Sequence, residues 1–130
     1  MSISTHEGQG IPLQKQMMVL IVWLILNGKV ERAVEILSAQ FAVSVPKMRV
    51  GLPKGRKNKA SGCYTVRDRT ISVLDSDTLK EPFVVLHEFY HHLRTTADRK
   101  HKGTEKFADK FALEFIAAYK SMTNESGNYY

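Results

Sequence analysis

The stretch Pro82-Phe83-Val84-Val85-Leu86-His87-Glu88-Phe89-Tyr90-His91-His92-Leu93 decides how the chain is read. Pro82 suits a first helical turn, and the spacing predicts a helix from there to about Thr95. At about 100° per residue, His87 and His91 lie roughly 40° apart around that helix and one turn apart along it, so both imidazoles face one point. Glu88 projects beside them. Neutral imidazole nitrogens bind zinc, and an adjacent carboxylate can take a proton from water that such an ion activates. Phe83, Leu86, Phe89, Tyr90 and Leu93 are left to pack a core away from the histidines.

Two histidines are too few for a catalytic zinc ion, so a third protein ligand is expected, with one position left open. Thr104 can cap a helix running from Glu105 to about Met122, in which Glu105 and Asp109 form an E-x-x-x-D pair on one face. Ala108, Phe111, Ala112, Phe115 and Tyr119 form the core stripe of that helix. The polar reversal between the two helices, containing Gly103, allows the second to return across the first. Glu105 then reaches the ion, and Asp109, one turn on, can accept the other imidazole N–H of a ligating histidine. His101 sits among Asp98, Arg99, Lys100 and Lys102, as in an exposed turn, and His92 points about 100° away from His91. His92 is therefore read as a contact to substrate or oxyanion, together with Tyr90 and Tyr119, rather than as a ligand.

Upstream, Pro12 to about Leu26 is apolar all round, as in a largely buried helix, and Trp23 and the Met17-Met18 pair read as core. Asn27-Gly28 supplies its stop. Val30, Ala33, Val34, Leu37 and Phe41 recur at steps of three and four, predicting a second helix from Lys29 to Phe41 that pairs antiparallel with the first. Three short strands follow: Lys47 to Leu52, then Cys63 to Val66 and Thr70 to Leu74 as a hairpin around Arg67-Asp68-Arg69. The expected fold is α+β: two N-terminal helices, a small, mostly antiparallel three-stranded sheet, then a zinc-binding helix and a glutamate helix. With 130 residues and no linker or repeat, residues 1–130 are read as a single domain, with 1–10 and 123–130 as mobile or inhibitory tails.

Hydrophobic residues at 43% and charged residues at 25% exclude disordered and collagen-like chains. One cysteine, Cys63, excludes an internal disulfide, and the opening residues show no export signal, so a cytoplasmic location is expected. The apolar run Met17 to Leu26 falls well short of the roughly 20 residues that cross a bilayer, so no membrane partner is expected. The net charge of +6 is concentrated between Lys47 and Arg69, where eight basic residues meet one acid. Lys54, Arg56, Lys57 and Lys59 can meet nucleic acid there, but no aromatic residues interleave them for base stacking, and a solvated loop is the simpler reading.

His87-Glu88-Phe89-Tyr90-His91 followed by Glu105-Lys106-Phe107-Ala108-Asp109 resembles the gluzincin class of metallopeptidases. The second helix looks like the glutamate helix of ImmA/IrrE-like peptidases, and the short length looks like the archaeal minigluzincins. This resemblance implies one zinc ion on His87, His91 and Glu105, Glu88 as general base and acid, and Asp109 behind a ligand. It also implies that Thr70, Ile71, Ser72, Val73 and Leu74 form an edge strand along which an extended peptide or protein substrate lies antiparallel. Latency through a terminal segment in the cleft is a further implication. The expected activity is therefore zinc-dependent peptide hydrolysis. The alternatives are a nucleic-acid-binding module braced by zinc and a catalytically silent metallopeptidase fold used for binding.

Overall fold

The computed structural model describes residues 12–54, 61–97 and 105–126. Helix α1 (Leu13–Leu26) stops where its sequence runs into Asn27-Gly28. Lys29 N–H bonds the Leu24 carbonyl at 2.8 Å and Gly28 N–H bonds that of Ile25 at 3.1 Å, with Gly28 at φ +79°. This closure needs a left-handed residue, which glycine adopts without a Cβ penalty. Helix α2 (Val30–Phe41) ends in the same pattern, but its left-handed residue is Ala42, at φ +57°.

Strands β1 (Lys47–Val50), β2 (Gly62–Thr65) and β3 (Thr70–Val73) form one sheet in the order β1-β3-β2. β2 and β3 are the expected antiparallel hairpin, with Tyr64 opposite Ile71, whereas β1 runs parallel to β3, with Lys47 opposite Thr70. The sheet is thus mixed, one pair of each kind, rather than mostly antiparallel. The order also corrects the reading of Thr70 to Leu74 as an edge. Thr70, Ile71, Ser72 and Val73 are buried in the central strand, hydrogen-bonded on both sides, and Leu74 lies just past its end. No substrate strand can add to β3; the edge strands are β1 and β2.

A 3-10 helix, Ser76–Lys80, joins β3 to the next helix. Asp75 caps it, its carboxylate accepting from Thr78 N–H at 3.0 Å and from the Thr78 hydroxyl at 2.7 Å. These bonds hold the Asp75 carboxyl below its ordinary range. Then come α3 (Pro82–Ala97) and α4 (Glu105–Ser126). The α+β order is as expected. Helix α4 runs through Ser126, so residues 123–126 extend a helix rather than begin a tail. The expected tail segments 1–10 and 127–130, together with Arg56, Lys57, Lys59, His101, Gly103 and Thr104, lie outside the described residues.

Helix α3 is sandwiched between β2–β3 and α4, and α1 lies against α2 and α4. Ile21, Ile25, Leu37, Ile71, Val73, Val85, Leu86 and Phe89 meet in the core. At ~25 cal/mol per Å² of apolar surface, each such side chain contributes about 1.5–3 kcal/mol, so this cluster is what fixes α3 on the sheet. Helix α1 is less buried than its composition suggests. Met17 and Met18 pack against the core, but Trp23 is 45% exposed and joins Leu13, Leu20 and Leu26 on an outer face. Among the described residues, no helix is long and apolar enough to cross a membrane.

Candidate metal centre

Helix α3 divides its residues by face. Val85, Leu86 and Phe89 go fully into the core, while His87 and His91 turn to a cleft of about 850 Å³ between β2, α3 and the start of α4. Glu88 also lines that cleft and is only 7% exposed. The return of α4 across α3, expected from the polar reversal, brings Glu105 to the histidines. Its Oε1 lies 2.7 Å from His87 Nε2 and its Oε2 lies 3.3 Å from His91 Nε2. One ligand atom from each of the three residues falls within 4.8 Å of the others, and the group can hold a metal ion. Asp109, one turn along α4, places Oδ1 2.9 Å from His87 Nδ1.

Counting protons around His87 shows why a cation suits this point. Both ring nitrogens lie within 3 Å of carboxylate oxygens, yet a neutral imidazole has one N–H. In the tautomer with that N–H on Nδ1, it donates to Asp109 and leaves Nε2 as a lone-pair donor facing Glu105. A metal ion held at Nε2 would supply the positive charge the carboxylate meets, and Asp109 would fix the tautomer. Glu105 is 78% exposed at its side chain, so α3 forms the fixed wall of the site and the α4 carboxylate its open side.

Gly62, one residue before the strand expected from Cys63, opens β2 and is a site residue. A Cβ there would lie 2.8 Å from Val84 Cγ1, 3.2 Å from Glu88 Cγ and 3.3 Å from the Ser72 carbonyl oxygen. The bare glycine is what lets the backbone of β2 pass directly over Glu88. A glycine at the start of a period-two run was the available signal. Tyr64, two residues on and on the same face, lines the cleft as well, and was also missed.

His92, Tyr90 and Tyr119 do not stand where an oxyanion or substrate contact requires. None of them lines the cleft. His92 is fully buried, with Tyr64 O–H donating to Nδ1 at 2.8 Å and Nε2–H donating to the Ser44 carbonyl at 2.7 Å. Burial pushes its pKa down and the charge of Arg69 adds to this, against the opposing bond to Ser44, so the ring is a neutral brace between α3, β2 and the chain before β1. Burial likewise pushes the Tyr64 phenol up. Tyr90 packs on the rings of Phe111 and His91, and Tyr119 packs against the core. The chain matches no family model, no curated protein and no solved structure, and the cleft's own residues are therefore what bear on its function.

Proposed function

We propose that this chain is a zinc-dependent peptidase acting on extended polypeptide, with zinc on His87, His91 and Glu105. The observation that carries this reading is that a buried carboxylate, Glu88, shares one cleft with the three-residue donor set, beside β2, which is an edge strand among the described residues. Two imidazole nitrogens and one carboxylate oxygen suit zinc, and three protein ligands leave a position open, as catalytic rather than structural sites do. When bound, zinc supplies Lewis acidity, polarising a carbonyl and lowering the pKa of water toward ~7.

The chain's own residues supply the rest. Glu88 accepts a proton from the attacking water and returns it to the leaving amine. Low exposure keeps that carboxylate from being swamped by solvent, and Gly62 leaves no room beside it for a larger residue of β2. Asp109 holds the His87 ring in the tautomer that frees Nε2. β2, rather than β3, is the edge that can pair with a substrate backbone. It forms one wall of the cleft from Gly62 to Tyr64, and among the described residues its outer side has no strand partner.

The test is Glu88→Gln, which keeps shape and removes the base. Zinc content should match the parent chain while hydrolysis of a mixed peptide pool falls by about 10²-fold or more. Equal hydrolysis by the variant would remove Glu88 from the reaction.

A further inference from the structure

A second, smaller recess of about 300 Å³ opens beside the metal cleft, lined by Tyr64, Val66, Arg67, Arg69, Thr95 and Thr96. Tyr64, Val66 and Thr95 also line the metal cleft, so the two adjoin. Among the described residues its lining includes two arginines and no acid. Among the described residues, neither Arg67 nor Arg69 is ion-paired; Asp68, between them in the turn, does not line the recess.

The turn that presents these arginines is pinned. Lys47 N–H bonds the Arg69 carbonyl at 2.9 Å, Arg69 N–H bonds the Val66 carbonyl at 3.3 Å, and Arg69 Nη1 reaches Ser44 Oγ at 3.5 Å. Arg69 holds φ +52°, in the left-handed region that non-glycine residues seldom occupy. Arg67 and Arg69 line the recess as exposed residues; the charge of Arg69 acts on both Tyr64 and His92, and that of Asp68 acts on Tyr64. Val66 offers an apolar wall for methylene groups, and the arginines offer planar forks suited to a carboxylate.

We infer that this recess is a subsite for a carboxylate on the polypeptide held in the metal cleft. The inference rests on the peptidase reading for its substrate and deepens it to peptides carrying an acidic group. Direction follows from β2, which runs alongside α3 with Gly62 over Glu88 and Tyr64 against His92. From Gly62 to Val66 is about 13 Å of extended chain. A peptide antiparallel to β2 therefore brings an Asp or Glu side chain three or four residues before the scissile bond to the arginines. A parallel one brings a side chain after that bond, or its free C-terminus.

The test uses full-length, zinc-loaded Glu88→Gln protein, so that ligands persist, and titration calorimetry with matched seven-residue alanine-rich peptides. One set is capped at both ends and carries Gln or Glu at each position in turn; another is neutral with a free C-terminus. At least one carboxylate peptide should bind about tenfold or more tighter than its neutral match. Its identity tells side chain from terminus. Adding Arg67→Gln and Arg69→Gln should reduce the gap below about twofold, and Arg67→Gln alone, which leaves the left-handed turn residue in place, should reduce it several-fold. Equal binding of acidic and neutral peptides, or a preference that survives both substitutions, overturns the inference. So does arginine-dependent binding of a single-stranded oligonucleotide without any carboxylate preference. Parallel digests with the parent chain separate the two readings. Preferred binding with no cleavage leaves the subsite and removes the peptidase, whereas cleavage without preference does the reverse.

Discussion

Replacing Gly62 with alanine tests how tightly β2 is laid over Glu88, the proposed general base. The new Cβ would stand 2.8 Å from Val84 Cγ1, closer than real Cβ atoms come, and 3.3 Å from the Ser72 carbonyl oxygen, which belongs to the central strand and cannot yield. Val84 is β-branched and held in one helical rotamer, so β2 and α3 must separate by several tenths of an ångström. Overpacking of this kind costs about 1–3 kcal/mol, or roughly 4–12 °C in Tm for a domain of this size. Glu88, whose Cγ would lie 3.2 Å from the new atom, is displaced with it, and misplacement by about 1 Å lowers a catalysed rate by up to about 10²-fold. Zinc content should be unchanged, because His87, His91 and Glu105 are not touched by the new methyl group.

A double-mutant cycle isolates the cause. Val84→Ala removes the atom in the way, so urea unfolding of Gly62→Ala/Val84→Ala should show at least about 1 kcal/mol less destabilisation than the sum of the single variants. Additivity within ~0.5 kcal/mol would refute the close approach of β2 to α3.

Three further outcomes follow from the same geometry. Asp109→Asn takes the carboxylate from His87 Nδ1 and should weaken zinc affinity about 10–100-fold, measured by competition with a chelating dye, while the fold is kept. Ala42→Gly relieves a left-handed alanine at the end of α2 and should stabilise the chain by roughly 1 kcal/mol in urea unfolding. His92 has a folded pKa held below its unfolded value near 6.5, so the unfolded chain binds more protons between the two values. Its contribution is complete above about pH 6.5 and is lost as pH falls toward the folded value. In chelated protein, the fall in unfolding free energy from pH 7.5 to 5 should be shallower for His92→Gln than for the parent.

The sequence carried the local half of this architecture. The i, i+4 histidines, the Asn27-Gly28 stop and the hairpin around Arg67-Asp68-Arg69 depend on neighbours a few residues apart, and each appears where periodicity and turn chemistry put it. Glu105 was legible because few acids follow the histidines at a distance a returning helix can close. What failed was long-range. Periodicity says that residues 70–74 form a strand but not who pairs with it, and the edge position that the gluzincin resemblance implies for them fails because β1 closes the other side of β3. A side-chain angle of about 100° from His91 says that His92 faces elsewhere, but its partners Tyr64 and Ser44 lie 28 and 48 residues away. Trp23 reads as core on composition alone, yet it is exposed, because nothing local to α1 distinguishes its outer face from its inner one.

The most direct measurement is zinc per chain, by elemental analysis after dialysis, for the parent and for His87→Ala, His91→Ala and Glu105→Ala, with circular dichroism confirming that each folds. One zinc per parent chain, and loss of it in all three variants, is the predicted result. A Glu105→Ala chain that keeps its zinc as firmly as the parent would contradict the account, because the carboxylate arriving from α4 would then be a neighbour of the histidines and not their partner.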